Sequence, residues 1–234
     1  MIKRAVILAG GMGTRLKPYT ITLPKPLVPV GDKPILELII TQLKNNGFTH
    51  ITITVNHMAD IIKAFFGDGS KWGIKVDYTT ETKSLSTMGP LSLIPDLPDH
   101  FLVMNGDVLT DMDFSLFHKE HTENQSLFTI GSFRRTDKID YGLLHQNEKG
   151  ELVKFEEKPN YDFLVSMGVY MVSKNILEHI PHDTFFGFDH LMYKLLDLKL
   201  YPKIYEFNGY WLDIGRPSDY EIAIDKISSG EISI

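Results

Sequence analysis

Hydrophobic positions along this 234-residue chain follow two alternating rhythms. Short runs of β-branched and aliphatic residues, at 5–8, 51–55, 74–79 and 101–104, have the composition of buried strands. Between them, at 34–46 and 59–66, apolar residues recur every three or four positions, the spacing of a helix with one face inward. Pro34 opens the first of these stretches, and Gly47 and Gly67 follow their ends, which is the punctuation of helix termini. Ser86 or Thr87 predicts the cap of a further helix running to Leu93. Strand and helix in alternation predict a mainly parallel sheet with helices on both faces, a three-layer α/β/α arrangement.

The second half is less regular. Strands are expected at 128–133 and 167–172, with a hairpin from 141–145 and 152–156 around the turn Asn147-Glu148-Lys149-Gly150. Helices are expected at 190–198 and 219–227. No repeat, low-complexity tract or linker interrupts the pattern, so residues 1–234 are read as a single domain.

Composition narrows the function classes. A formal net charge of −6 argues against a nucleic-acid-binding surface. The absence of cysteine removes disulfides and thiolate-held metals. No run approaches ~18 apolar residues, so no membrane span is expected. Met-Ile-Lys-Arg leads straight into the first strand, leaving no room for a signal peptide, and the expectation is a cytoplasmic protein. A homo-oligomer is allowed, but nothing in the sequence requires one.

Against that acidic background, residues 8–30 concentrate chemistry: L-A-G-G-M-G-T-R-L-K-P-Y-T-I-T-L-P-K-P-L-V-P-V. Gly10, Gly11 and Gly13 let the backbone turn tightly and present N–H groups to a ligand. Arg15 follows, and then Lys25 held between Pro24 and Pro26. Backbone donors, a guanidinium and an ammonium on one loop suit a triphosphate. A Walker A loop would need Lys-Ser/Thr directly after its last glycine, where this chain has Thr14-Arg15. A dinucleotide fingerprint would need a third glycine where Leu16 stands and an acidic residue after the second strand, which closes on Val55-Asn56-His57.

The loop resembles the signature of the sugar-1-phosphate nucleotidylyltransferases, G-G-x-G-T-R-L-x-P-x-T-x-x-x-P-K-P-L-x-P-V, and matches continue along nearly the whole chain. The resemblance implies the nucleotide-diphospho-sugar transferase fold, with a Rossmann-like mixed, mainly parallel sheet. It also implies a reaction: nucleoside triphosphate plus sugar 1-phosphate gives nucleotide-sugar plus pyrophosphate, with Mg2+. Nucleotide contacts would fall to Leu8, Ala9, Gly10, Gly11, Gly13, Thr14, Arg15, Lys25, Glu81, Gly89 and Asp107. Phe101-Leu-Val-Met-Asn-Gly-Asp107 resembles the family's V-L-N-G-D, whose aspartate holds the metal, and Tyr210-Trp-Leu-Asp213-Ile-Gly-Arg-Pro resembles W-x-D-I-G-x-P, where Asp213 would complete that site. Glu156-Glu157-Lys158-Pro159 resembles E-K-P, with Lys158 facing the sugar phosphate and Glu157 taking sugar hydroxyls. Tyr141-Gly142 resembles the Y-G that lies against the sugar ring, and Asn105 and Gly168 complete the sugar-phosphate set.

Two segments depart from the pattern. Glu81-Thr-Lys-Ser-Leu-Ser-Thr-Met-Gly89 resembles the base-reading E-x-x-x-L-G-T-A-G, but Ser86 and Met88 replace its glycine and alanine. Ser166-Met167-Gly168-Val stands where Asn-Ala-Gly-Val is frequent, so an altered sugar wall is expected. The hexapeptide repeats of a left-handed β-helix, appended in some relatives, are absent.

The expected catalytic set is Arg15, Lys25, Asp107 and Lys158, working by positioning and charge neutralisation. Lys25 and Asp107 are expected to matter for turnover and little for stability. GTP is the expected nucleotide, because guanine offers two adjacent donors to an acceptor-only carboxylate such as Glu81. UTP, CTP and dTTP remain alternatives, as does a non-catalytic nucleotide-sugar-binding subunit. The expected sugars are mannose, manno-heptose or amino-sugar 1-phosphates rather than glucose with dTTP.

Overall fold

A computed structural model describes residues 3–230. β1 (Arg4–Leu8) leads into a long loop holding the short ribbon β2 (Pro29–Val30) and β3 (Lys33–Pro34). Then follow α1 (Ile35–Asn45), β4 (His50–Val55), α2 (Ala59–Phe66), β5 (Lys75–Thr80), β6 (His100–Asn105), β7 (Val108–Thr110) and α3 (Phe114–Glu123). β8 (Phe128–Lys138), the hairpin β9 (Leu143–Gln146) and β10 (Leu152–Glu156), and β11 (Asn160–Ser173) come next. The described chain ends with α4 (Phe188–Asp197), β12 (Lys203–Phe207), β13 (Trp211–Asp213) and α5 (Pro217–Ser228).

Seven strands form one sheet in the order β12-β8-β11-β6-β1-β4-β5. All neighbours are parallel except β11, which runs antiparallel to both β6 and β8. The mixed, mainly parallel sheet expected from the alternation is therefore present. Side chains of β1 divide between two cores: Ala5 and Ile7 pack with α1, α2, α3 and α5, and Val6 packs with α4 on the other face. Burial on both faces explains why β1, β4 and β6 read as continuous apolar runs.

Several expectations need correction. Residues 86–93 do not form an α-helix; only Gly89–Leu93 is helical, as a 3-10 segment. Ser86 sits at φ +63°, and the Met88 and Gly89 N–H groups donate to Phe186 O at 3.0 and 2.8 Å instead of entering a helix. α1 starts one residue late, with Pro34 before its first turn. α3 was not expected, since its apolar stripe is narrow, but Asp113 caps it by accepting from the Leu116 N–H at 2.8 Å. β12 was also missed: its edge position leaves Ile204 exposed while Tyr205 and Phe207 turn inward. β8 and β11 run well past the expected limits, because their paired outer parts, 133–138 with 160–165, carry exposed residues on both faces and show no alternation. No described helix is long and apolar enough to cross a membrane.

Candidate active site

The C-terminal ends of β1, β4 and β6 meet at one edge of the sheet, where open α/β sheets bind ligands. β1 delivers the glycine loop there. Gly13 adopts φ +61°, and a Cβ at that position would lie 3.1 Å from Lys25 Cβ, so the turn and the Lys25 segment are packed together. Gly11 is the opposite case, because a Cβ there would meet nothing within 4 Å and would project into open space. That space is a cavity of about 290 Å³ lined by Leu8, Ala9, Gly11, Gly13, Thr14, Arg15, Lys25, Pro26, Gly106, Asp107 and Gly215.

A two-strand ribbon lies beside this cavity. β7 pairs antiparallel with β13, setting Asp213 opposite Val108 and so beside Asp107, although 106 positions separate them in the chain. The Ile214 N–H donates to Asp107 O at 3.0 Å and holds the two segments together. The Lys25 ammonium donates to Asp107 Oδ2, while Asp107 Oδ1 is buried with no hydrogen-bond partner. Asp213 keeps exposed surface at the mouth, but protein crowds its carboxylate from within. That crowding first, and the Asp107 charge second, push its pKa up to about 6 against the pull of Lys25 and Arg15.

A second cavity of about 260 Å³ adjoins the first, sharing Leu8, Gly11 and Asp107, and adds Gly10, Thr54, Glu81, Ser84, Ser86, Thr87 and Asn105. Glu81 is buried, and burial raises its pKa. Its Oε2 accepts from the Leu85 N–H at 3.1 Å, which braces the turn after β5, and a Cβ on Gly10 would meet its Oε1 at 2.6 Å. Thr54 Oγ1 is buried here without a partner.

Of the site residues expected from sequence, Arg15, Lys25, Asp107 and Asp213 thus converge, and Gly10, Glu81 and Asn105 line the adjoining cavity. Gly168 closes on Asn105: it occupies a bulge of β11 at φ +73°, and a Cβ there would lie 2.5 Å from Asn105 Nδ2. Gly89 lines neither cavity. It is buried against the Thr184 carbonyl, where a Cβ would come within 2.5 Å, so that glycine serves backbone packing. Tyr141, Gly142, Glu157 and Lys158 lie outside both cavities, on and beside the exposed β9–β10 hairpin, with Tyr141 78% exposed and Lys158 at φ +45°. Sequence reasoning missed Gly106, next to Asp107, Gly215, two residues after Asp213, and Thr54, whose signal was a polar residue inside the apolar run Ile51-Thr-Ile-Thr-Val55.

Comparisons with known proteins place the chain in a family. The family model described as "Nucleotidyl transferase" matches residues 4–230. The chain is 32% identical over 250 residues to a UTP--glucose-1-phosphate uridylyltransferase of Synechocystis, covering 98% of this chain and 64% of the relative. It is 32% identical over 219 residues to a D-glycero-alpha-D-manno-heptose 1-phosphate guanylyltransferase of Campylobacter jejuni, covering 93% and 96%. The crystal structure of HddC from Yersinia pseudotuberculosis complexed with GMP-PN superposes with a TM-score of 0.72 at 29% identity, covering 97% of this chain and 100% of that one. Against the uridylyltransferase, and against several mannose-1-phosphate guanylyltransferases, the chain spans less than two thirds of the relative's length.

Proposed function

The chain belongs to the nucleotidyl transferase family, and from that premise we propose that it transfers a nucleoside monophosphate from a nucleoside triphosphate to a sugar 1-phosphate. The single observation that carries the reading is that Arg15, Lys25 and Asp107 line one glycine-floored cavity while Asp213, from a distant strand, is set beside Asp107. A sugar-phosphate oxygen attacks the α-phosphorus in line with the departing pyrophosphate. The new P–O bond forms as the bond to the β-phosphate bridging oxygen breaks. No general base is needed, because a phosphate monoester is already largely ionised near neutral pH.

In this reading the loop N–H groups and Arg15 hold the β- and γ-phosphates, and Lys25 neutralises charge at the α-phosphate. Lys25 spends its charge on Asp107 before substrate arrives, so nucleotide binding exchanges a carboxylate partner for a phosphate one. Lys158 orients the attacking phosphate once the β9–β10 hairpin approaches the bound sugar; this role requires that approach.

The donor set also fits a divalent cation. Two adjacent carboxylates, one with a buried unpartnered oxygen and one whose pKa is raised by burial and then by its neighbour, are a costly pair without one. Mg2+ needs only one or two carboxylates, since it fills its remaining positions with water and phosphate oxygens. Asp107 and Asp213 would hold it, and it would supply charge neutralisation between the reacting phosphates.

GTP is the preferred nucleotide in our reading. Glu81 faces the adjoining cavity with one oxygen already engaged by Leu85, so it takes guanine's N1–H and amino donors with its remaining acceptor capacity. Several relatives are named guanylyltransferases and one is named a uridylyltransferase, which keeps UTP as the second reading. Both substrates are small water-soluble phosphates, so the reading sets the reaction in the cytoplasm and needs neither nucleic acid nor membrane. The test is pyrophosphate release from GTP, UTP, CTP, dTTP and ATP with mannose, manno-heptose and glucose 1-phosphates. GTP should lead, and Glu81→Gln should erode that lead. Equal use of UTP by the native protein overturns the base assignment.

A further inference from the structure

β4 turns Ile53 and Val55 into the core that α1 and α2 cover, and its intervening threonines, Thr52 and Thr54, to the opposite face. Each threonine is 1% exposed, yet the two hydroxyls differ in their surroundings. Thr52 Oγ1 accepts from the Arg4 guanidinium at 2.9 and 2.6 Å, whereas Thr54 Oγ1 has no hydrogen-bond partner among the described residues. Strand register places Thr54 beside Leu8 of β1 and Thr79 of β5, and Leu8 beside Asn105 of β6. The Glu81 N–H donates to Val55 O at 2.8 Å, which carries this ladder one step past β5 and sets Glu81 on the face that Thr79 shares with Thr54. Glu81, Thr54, Leu8 and Asn105 thus make a row across the sheet, and all four line the cavity of about 260 Å³. The Thr54 carbonyl accepts from the Ala9 N–H at 3.0 Å, and a β-branched side chain has little χ1 freedom in a strand, so the hydroxyl is held in place before any ligand arrives.

A hydroxyl that has given up water without gaining a partner is destabilising, and valine would fill the same space without that penalty. The other hydroxyls of this cavity are not in that state: Thr87 Oγ1 accepts from the Phe188 N–H at 2.8 Å, Ser84 is exposed and Ser86 is half-buried. The neighbour of Thr54 in the row, Glu81, has Oε2 engaged by the Leu85 N–H at 3.1 Å, which leaves Oε1 to accept the ring N–H of a base. In guanine and in uracil that N–H lies directly beside a keto oxygen, O6 or O4, which is an acceptor and needs a donor. Resting on the nucleotide transfer proposed above, we infer that the Thr54 hydroxyl donates to this keto oxygen and that Thr54 and Glu81 together read the keto and N–H pair. Adenine and cytosine present an amino group beside a bare ring nitrogen instead, and the Glu81 carboxylate repels that nitrogen. Guanine and uracil share the pair, which separates the role of Thr54 from the choice between GTP and UTP.

Thr54→Val and Thr54→Ser are melted without ligand and titrated with GTP, UTP, ATP and CTP by isothermal calorimetry. Valine removes the hydroxyl and keeps the bulk, so Tm should stay at or above the native value while affinity for GTP or UTP, whichever binds, falls about tenfold. Serine keeps the hydroxyl and removes a buried methyl, so Tm should fall while that affinity is retained. Any binding of ATP or CTP should be the same in Thr54→Val as in the native protein. A threonine with a purely structural role would lose stability and affinity together. Native affinity for GTP and UTP in Thr54→Val, or an equal loss for all four nucleotides, overturns the role of Thr54. The crossed pattern without pyrophosphate release from any sugar 1-phosphate upholds the base contact and overturns the transfer reaction; binding of no nucleotide overturns both.

Discussion

Replacing Lys25 by Met separates what this lysine does for the fold from what it does for the reaction. The side chains of Lys25 and Asp107 are 13% and 19% exposed, so the pair is neither dry nor freely solvated. Removing one partner of a fully buried pair costs roughly 3–5 kcal/mol, and the open cavity beside this one reduces that to about 2 kcal/mol. In a chain of this size that corresponds to a fall in Tm of about 4–8 °C. Asp107 would then face Asp213 with both oxygens unpartnered, and Asp213, raised to about 6 even with Lys25 pulling it down, would be pushed further up without that cation and take up a proton as pH falls. The deficit should therefore be full at pH 8 and shrink at pH 5. Asp107→Asn added to Lys25→Met removes the uncompensated charge and should recover most of the stability, while turnover stays down by on the order of 10²-fold or more. Thermal melts across pH for the native protein and both variants, with turnover measured on the same samples, make the check. A native Tm for Lys25→Met at pH 8, or no recovery in the double variant, would refute the reasoning. The sequence alone led us to expect little change in stability, because the Asp107 partner was not visible there.

Further outcomes follow from neighbouring features. Gly11→Ala should keep the native Tm, since its Cβ meets nothing within 4 Å, yet weaken nucleotide binding about tenfold or more by filling the phosphate space, as isothermal titration would report. Asp213→Asn should lower the apparent Mg2+ affinity of the reaction, and in the native protein that affinity should fall as pH drops below about 6, where Asp213 holds a proton; a metal titration of initial rates at several pH values checks both. His121 is buried between Thr129 and His100, and burial, with the neighbouring His100 and His118, lowers its pKa to about 4. The unfolded chain, with an ordinary histidine, binds a proton first, so His121 lends stability that is full above about pH 6.5 and is lost toward pH 4, by at most roughly 3 kcal/mol. His121→Gln should flatten the stability profile in that window, measured by denaturant unfolding.

The strands that build the floor of the site were legible because both of their faces are buried, which leaves a continuous apolar run. The helix expected at 86–93 was not there because its caps are used elsewhere: Thr87 Oγ1 accepts from the Phe188 N–H at 2.8 Å, tying the segment to the start of α4. That contact spans 101 positions and leaves no local trace. Likewise, Asp107 and Asp213 were each recognisable from their motifs, but their adjacency depends on the β7–β13 pairing, which two three-residue strands do not announce.

Group transfer itself is tested most directly by following the label of α-³²P-GTP with a sugar 1-phosphate and Mg2+. The account predicts that the label passes into a nucleotide-sugar while unlabelled pyrophosphate is released in equal amount, and that Lys25→Met and Asp107→Asn suppress both together. Label recovered as GMP with no sugar adduct, or pyrophosphate released without any sugar 1-phosphate, would contradict it.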